Sequence, residues 1–232
     1  MQKNAWDYTD FLPARPVIFN LSAKAALVGL LLFTFKGSLA WPAGWVYLGL
    51  YAAWSFANTV WLLRRNPDLV AKRLGAATPE FMADRAFALA LPALFALTVG
   101  VCARYPGEYY GTGDVLARAC AFNGLALAYW LASYALGSNK FALKAVALQP
   151  GQVVEKGGPY AYVRHPLYAA FILFILCTPP ALGSYYGYLP ALAAALATAT
   201  RAYFEDLFLQ EKLAGYREYA AEVKWRLSPR VW

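Results

Sequence analysis

Four apolar runs, each long enough to cross a bilayer as a helix, constrain this chain more than any other feature. A hydrocarbon core about 30 Å thick takes roughly 20 helical residues, and only a helix or a closed barrel satisfies its own backbone polar groups there. The runs cover Val17–Phe35, Trp45–Leu63, Ala86–Ala103 and Val115–Leu136, with Lys24 and Arg118 close enough to their ends to reach the interface by snorkelling. A fifth apolar region, Leu167–Tyr203, is longer than one span and is interrupted by Thr178-Pro179-Pro180 and by the Gly183–Pro190 stretch. Proline and glycine interrupt a helix ladder, so this region is expected to fold as a helical hairpin broken at those residues.

Composition points the same way. Of 232 residues, 60% are hydrophobic and 15% charged, more apolar surface than one water-facing fold hides. The expected fold class is all-α: a polytopic transmembrane helix bundle with four spans, a C-terminal helical hairpin and a cytosolic C-terminal helix. One membrane domain accounts for residues 1–232, with four transmembrane helices in residues 17–136 and a bent loop, the hairpin and a polar C-terminal segment in residues 137–232. No internal repeat is present.

The positive charges orient the bundle. With the N-terminus inside, the inner connections carry Lys3 and Arg15, then Arg64, Arg65, Lys72, Arg73 and Arg85, then Lys140, Lys144, Lys156 and Arg164. Arg201, Lys212, Arg217, Lys224, Arg226 and Arg230 follow on the same side, against Lys36 and Arg104 outside. Both termini are therefore expected in the cytoplasm. The net charge of +8 is concentrated at run ends rather than on one face with interleaved aromatics, which favours a membrane surface and argues against nucleic acid. Cys102, Cys120 and Cys177 lie in apolar runs without metal-type spacing, so neither a disulfide nor a metal site is expected. Met1–Pro16 lacks the apolar core of a cleavable signal.

Two stretches outside the spans exceed simple turns. In Arg64–Phe81, the amphipathic Asn66–Leu74 segment suits a short helix on the inner leaflet. Gly137–His165 contains Gly151, Gly157, Gly158 and Pro159, so it is bent, and it lies where a soluble ligand meets the bilayer.

The densest polar signal runs from Gly157 to Tyr168, Gly-Gly-Pro-Tyr-Ala-Tyr-Val-Arg-His-Pro-Leu-Tyr, and holds the only histidine. Gly157 and Gly158 let backbone approach a ligand, and Pro166 starts a helix directly after His165. The plain alternative is an interfacial turn with tyrosines in the headgroup belt. The second signal is Arg201-Ala202-Tyr203-Phe204-Glu205-Asp206, in which Arg201 and Glu205 are neighbours one helical turn apart. Either they form a solvated salt bridge, or Arg201 at that depth faces a polar cavity and holds a carboxylate by parallel hydrogen bonds. Asp206 points off that face and is expected in solvent. Tyr216 and Tyr219 are expected to pack or anchor, and Trp225 and Trp232 to sit at the interface.

These residues resemble the isoprenylcysteine carboxyl methyltransferase superfamily, whose relatives include phospholipid methyltransferases. The likeness rests on Gly-Pro-Tyr and Tyr-Val-Arg-His-Pro-Leu-Tyr, the hairpin, Arg201 and Glu205, and the trailing Glu-Lys-Leu-Ala-Gly-Tyr-Arg-Glu-Tyr, and covers about Gly157–Pro229. It implies a membrane-embedded enzyme that binds S-adenosylmethionine through Tyr160, Arg164, His165, Leu167, Tyr168 and Glu205, with the active site facing the cytoplasm. It also implies that Arg201 and Glu205 are catalytic, Arg201 positioning the acceptor and Glu205 lying where cofactor and acceptor meet. The acceptor would be a lipophilic small molecule or lipidated substrate from the bilayer. Many members carry two glutamates where this chain has Glu205-Asp206, and the superfamily name does not fix the acceptor. Two other classes compete: an NADPH-dependent membrane reductase of the sterol-reductase type, whose members are generally longer, and a non-catalytic binding or transport protein, which repeat symmetry would favour.

Overall fold

The computed structural model describes residues 14–74, 82–107 and 112–232. Lys3 and the rest of the N-terminal segment, together with residues 75–81 of the linker expected after the second span, lie outside the described residues. Eight α-helices are present among the described residues: α1 (Ala14–Lys36), α2 (Pro42–Arg65), α3 (Pro67–Leu74), α4 (Met82–Arg104), α5 (Thr112–Ser138), α6 (Pro166–Leu182), α7 (Tyr188–Lys212) and α8 (Tyr216–Glu222). The protein is a helical bundle, and α1, α2, α4 and α5 are long and apolar enough to cross a membrane, the mark of a multi-pass membrane protein. Each extends a few residues beyond its apolar run, because the helix ladder continues into polar flanks where water or headgroups satisfy the side chains.

The hairpin of α6 and α7 inserts among these spans. α5 packs chiefly on α6, α4 on α7, and α1 on α4 and α2. Close approach of α5 and α6 depends on Gly124, where an added Cβ would stand 2.5 Å from Cys177 Sγ. The hairpin tip meets the α4–α5 connection: Gly107 N–H donates to the Gly183 carbonyl (2.6 Å) and Ser184 Oγ to the Tyr105 carbonyl (2.7 Å). The 17 residues of α6, about 25 Å at 1.5 Å per residue, thus reach from one end of the bundle to the other. Midway, Tyr47, Leu125, Phe174 and Ile175 form a buried core, in which Tyr47 and Thr178 share a hydroxyl hydrogen bond of 3.1 Å.

One expected break is displaced. α6 continues through Pro179 and Pro180 and ends at Gly183, whose φ of 77° supplies the left-handed C-terminal cap. Two prolines are tolerated in the last turns of a short helix, whereas the reversal of direction needs a positive φ that glycine adopts without strain.

α3 begins with Pro67 at its first position, and Asn66 Oδ1 accepts the Leu69 N–H (3.2 Å), as expected of a helix start. The amphipathic helix predicted there forms, but Leu69 and Val70 are buried against protein, Val70 with Leu62 and Leu136. Lys72 Nζ further ties α3 to Gln149 Oε1 (2.9 Å).

Candidate active site at the polar end of the hairpin

A 3₁₀ turn, Gly158–Ala161, leads to His165 and then to α6, with Pro166 in the first position of the helix. Gly158 sits at φ 58°, a value that strains any residue with a Cβ. The segment is sewn to the C-terminal tail: Arg164 N–H donates to the Trp225 carbonyl (2.9 Å) and His165 N–H to the Arg226 carbonyl (2.8 Å). Tyr219 O–H donates to the Tyr160 carbonyl (2.7 Å). At its end the tail curls back, so that the Trp232 carbonyl accepts from Arg226, Leu227 and Ser228, and the Arg226 guanidinium lies 5.3 Å from the Trp232 ring centre.

Asp206 organises this end of the protein. It is fully buried, which overturns its expected place in solvent. Arg164 grips it with both sides of its fork, Nε on Oδ1 (2.8 Å) and Nη2 on Oδ2 (2.9 Å). Oδ1 also accepts from Tyr216 O–H (3.0 Å) and lies 3.3 Å from His165 Nε2. Oδ2 accepts from Gln210 Nε2 (2.9 Å) and Arg226 Nε (3.0 Å). Burial by itself raises the Asp206 pKa, but the hydrogen bonds and charges of His165 and Arg164 prevail and hold it well below the usual carboxylate range. The same burial, with Asp206 and Glu205 nearby, pushes the Tyr216 phenol far up, so it stays a donor at neutral pH. Helical periodicity explains the burial, since Ala191, Ala194, Ala195, Thr198, Ala202 and Asp206 form one face of α7 at spacings of three and four. That signal was present in the sequence and outweighs the polarity of the side chain.

Arg164 consequently does more than line a cavity. Its Nη1 donates to the carbonyls of Ala220 (3.2 Å), Val223 (2.8 Å) and Lys224 (3.3 Å). All three guanidinium nitrogens are engaged, Nε and Nη2 with Asp206 of α7 and Nη1 with the C-terminal segment.

Arg201 is buried too, and Glu205 is not its partner. Its guanidinium meets Asp84 of α4, Nε at 2.8 Å and Nη2 at 2.7 Å from Oδ1. Nη2 also donates to the Lys144 carbonyl (2.7 Å), and Asp84 Oδ2 accepts the Val146 N–H (2.8 Å). The solvated Arg201–Glu205 salt bridge is therefore replaced by a buried one that joins α7, α4 and the loop before α6. A helix neighbour four residues away lost to a carboxylate from another span because the latter has no water to compete for it. Glu205 instead accepts a hydrogen bond from Tyr168 O–H, and the Arg201 guanidinium lies 5.6 Å from the Tyr168 ring centre.

These groups surround a cavity of about 700 Å³. Tyr160, Arg164, His165, Leu167, Tyr168, Arg201 and Glu205, the residues singled out in the sequence, all line it. Its polar mouth adds Arg73, Phe141, Lys144 and Glu155, from segments with no sequence motif, and Tyr216 of the trailing motif, expected only to pack or anchor. Burial raises the Tyr160 phenol well above its ordinary range, so Tyr160 presents a neutral ring and hydroxyl. Deeper, the walls become apolar and aromatic, with Tyr51, Trp54, Phe95, Tyr129 and Phe174 from spans α2, α4 and α5 and from α6. Trp54 stacks on Tyr129 at 4.6 Å between ring centres and 11° between planes, and its Nε1 donates to Ser133 Oγ (2.9 Å). Pro92 contributes here as well, since it has no N–H to offer the Ala88 carbonyl and both residues lie on the wall. The outcome is one chamber, charged at the end of the bundle where α3, the 139–165 loop and the tail converge, and oily at the depth of the spans. Compared with known proteins, the sequence matches no family model and no curated protein.

Proposed function

We propose that the protein is an integral-membrane S-adenosylmethionine-dependent methyltransferase whose acceptor is a lipophilic or amphiphilic molecule, methylated at a carboxylate or a lipid headgroup. The observation that supports this most is the two-part cavity: a polar, aromatic mouth continuous with an apolar chamber among membrane spans. A water-soluble cofactor and a bilayer-soluble acceptor need such a junction, and its volume lies within the ordinary range of ligand pockets. The positive-inside pattern supports a mouth, and termini, that face the cytoplasm.

The residues at the mouth fit the cofactor's chemistry. Tyr160, His165, Leu167 and Tyr168 offer ring and aliphatic faces for an adenosyl group, and the Glu205 carboxylate offers negative charge to a cation. When bound, S-adenosylmethionine supplies an electrophilic methyl group on a positively charged sulfur. Arg164 acts at one remove, fixing the tail and the backbone of His165. Arg201 is held by Asp84, and its Nη1 remains to orient the acceptor beside Glu205. The aromatic chamber takes the apolar part of the acceptor and keeps water from the junction, so the contribution of the chain is proximity and orientation.

The reading is tested by incubating the purified protein with radiolabelled S-adenosylmethionine and a total lipid extract. Label in an identified lipid, lost on Glu205→Ala, is the expected result. Stabilisation by NADPH and not by S-adenosylhomocysteine would overturn it in favour of a reductase, since a ligand that binds only the folded state raises apparent stability.

A further inference from the structure

Four cations line the cavity, and they differ in how their charge is balanced. Arg164 is paired with Asp206 and Arg201 with Asp84, each carboxylate fully buried. Arg73 and Lys144 have no carboxylate within ion-pair distance among the described residues. Arg73 spends Nη1 on the Ala142 carbonyl (2.6 Å), a neutral acceptor. Burial lowers its pKa, partly offset by the nearby Tyr160 and Tyr168 phenols. Lys144 is disfavoured as a cation by partial burial, then by Lys24 and by Arg73 itself. A partly buried arginine facing a cavity, with another cation close by and Glu155 and Glu205 on the same walls but outside ion-pair distance, is an arrangement that a ligand's negative charge completes.

We propose that Arg73 and Lys144 form an anion-binding pole of this cavity, which takes the carboxylate of the bound ligand, while the charges of Arg164 and Arg201 are spent on Asp206 and Asp84 and Arg201 keeps only Nη1 as a donor toward the acceptor. The inference rests on the cavity being a ligand site and deepens the reading above by supplying the charged group that Arg201, already neutralised, lacks. The geometry that carries it lies in α3. That helix is docked through Leu69 and Val70, and its Arg73 lines the chamber wall that also holds Tyr160 and Tyr168. Guanidinium suits the role because its planar donors match a carboxylate and it stays charged when partly buried. Two sources offer such a carboxylate, the amino-acid end of the cofactor and the head of an anionic amphiphile from the bilayer.

Binding to the full-length protein in detergent micelles separates them. One arm compares S-adenosylhomocysteine with its decarboxylated analogue, and the other compares oleate with oleyl alcohol. Arg73→Gln is expected to weaken one charged probe about tenfold or more, the loss of a charge-assisted hydrogen bond. Its uncharged counterpart should stay within about twofold, an order-of-magnitude margin for an unchanged contact. Arg73→Lys should recover part of the loss, and Lys144→Gln should reproduce it to a smaller extent. Lys72→Gln removes a cation from the same helix outside the cavity and should change neither probe. The arm in which the loss occurs identifies the source. Equal weakening of charged and uncharged probes, no weakening in either arm, or a wild-type protein that binds neither charged probe overturns the anion pole. Wild-type protein that binds oleate but no adenosyl ligand removes the methyltransferase reading and leaves the pole standing. If Arg73→Gln does not fold, the ratio measured with Lys144→Gln decides.

Discussion

Arg164 and Asp206 are joined through two parallel hydrogen bonds of 2.8 and 2.9 Å, each side chain at most 5% exposed. The pair fastens the start of α6 to the end of α7, and through the remaining donors of Arg164 it fastens both to the tail. Replacing Asp206 by Asn leaves Arg164 and Arg226 without their buried counter-charge, so unfolding stability should fall by about 3 kcal/mol. Thermal unfolding in micelles checks this; a midpoint equal to that of the wild type would refute it.

The same carboxylate gives a pH dependence of known sign. Its pKa is lower in the folded protein than the unfolded value of about 3.9. Its contribution is therefore complete above the unfolded value and is lost as pH falls toward the folded one. The wild-type midpoint should begin to decline below about pH 5 and keep falling into strong acid, and the Asp206→Asn midpoint should decline less. Parallel curves for the two proteins would contradict the assignment.

Arg164→Lys keeps the charge but loses the fork and the bonds to Ala220, Val223 and Lys224. Lysine offers one point of attachment where arginine offers three nitrogens. Amide hydrogen exchange in residues 223–232 should rise by about tenfold, equivalent to about 1.4 kcal/mol of local stability, with little change in α1 and α2. Unchanged protection of the tail would show that other contacts hold it.

Arg201→Ala strands Asp84 without its partner and should cost about 3 kcal/mol. In the double variant with Asp84→Asn, much of that loss should return, because the uncompensated charge is gone. Strict additivity of the two single losses would mean that the pair is not coupled. The cycle also tells a folding effect of Arg201 from any effect on an acceptor.

Ala132 lines the chamber beside Tyr129. A phenylalanine there fills space at the depth of the spans without touching the mouth. Labelling of a long-chain acceptor should drop by at least about tenfold, since overfilling a packed site typically costs 1–3 kcal/mol. S-adenosylhomocysteine affinity should stay unchanged, and an equal fall in both would mean that the two parts of the cavity are not separate.

The sequence alone determined the number and approximate position of the spans, because a bilayer demands about 20 apolar residues per helix whatever the helix packs against. Glycines, a His-Pro step and charges at the end of apolar helices are local features, and they picked out the Gly157–Tyr168 stretch and the Arg201–Glu205 turn; the individual site residues within them, Leu167 above all, came from the family resemblance. What the sequence left open was which charge meets which. Asp84, near the start of α4, bonds an arginine 117 positions later, and no local pattern pairs them. Asp206 looked like a solvated acid by type, and only the packing of α7 against α6, α8 and the tail turned it into the centre of six contacts. Arg73 carried no signal beyond the amphipathic pattern of its helix. The tertiary structure decided these points because removing water makes a buried charge take whichever partner the bundle presents, and that partner is set by helix packing rather than by neighbours in the chain.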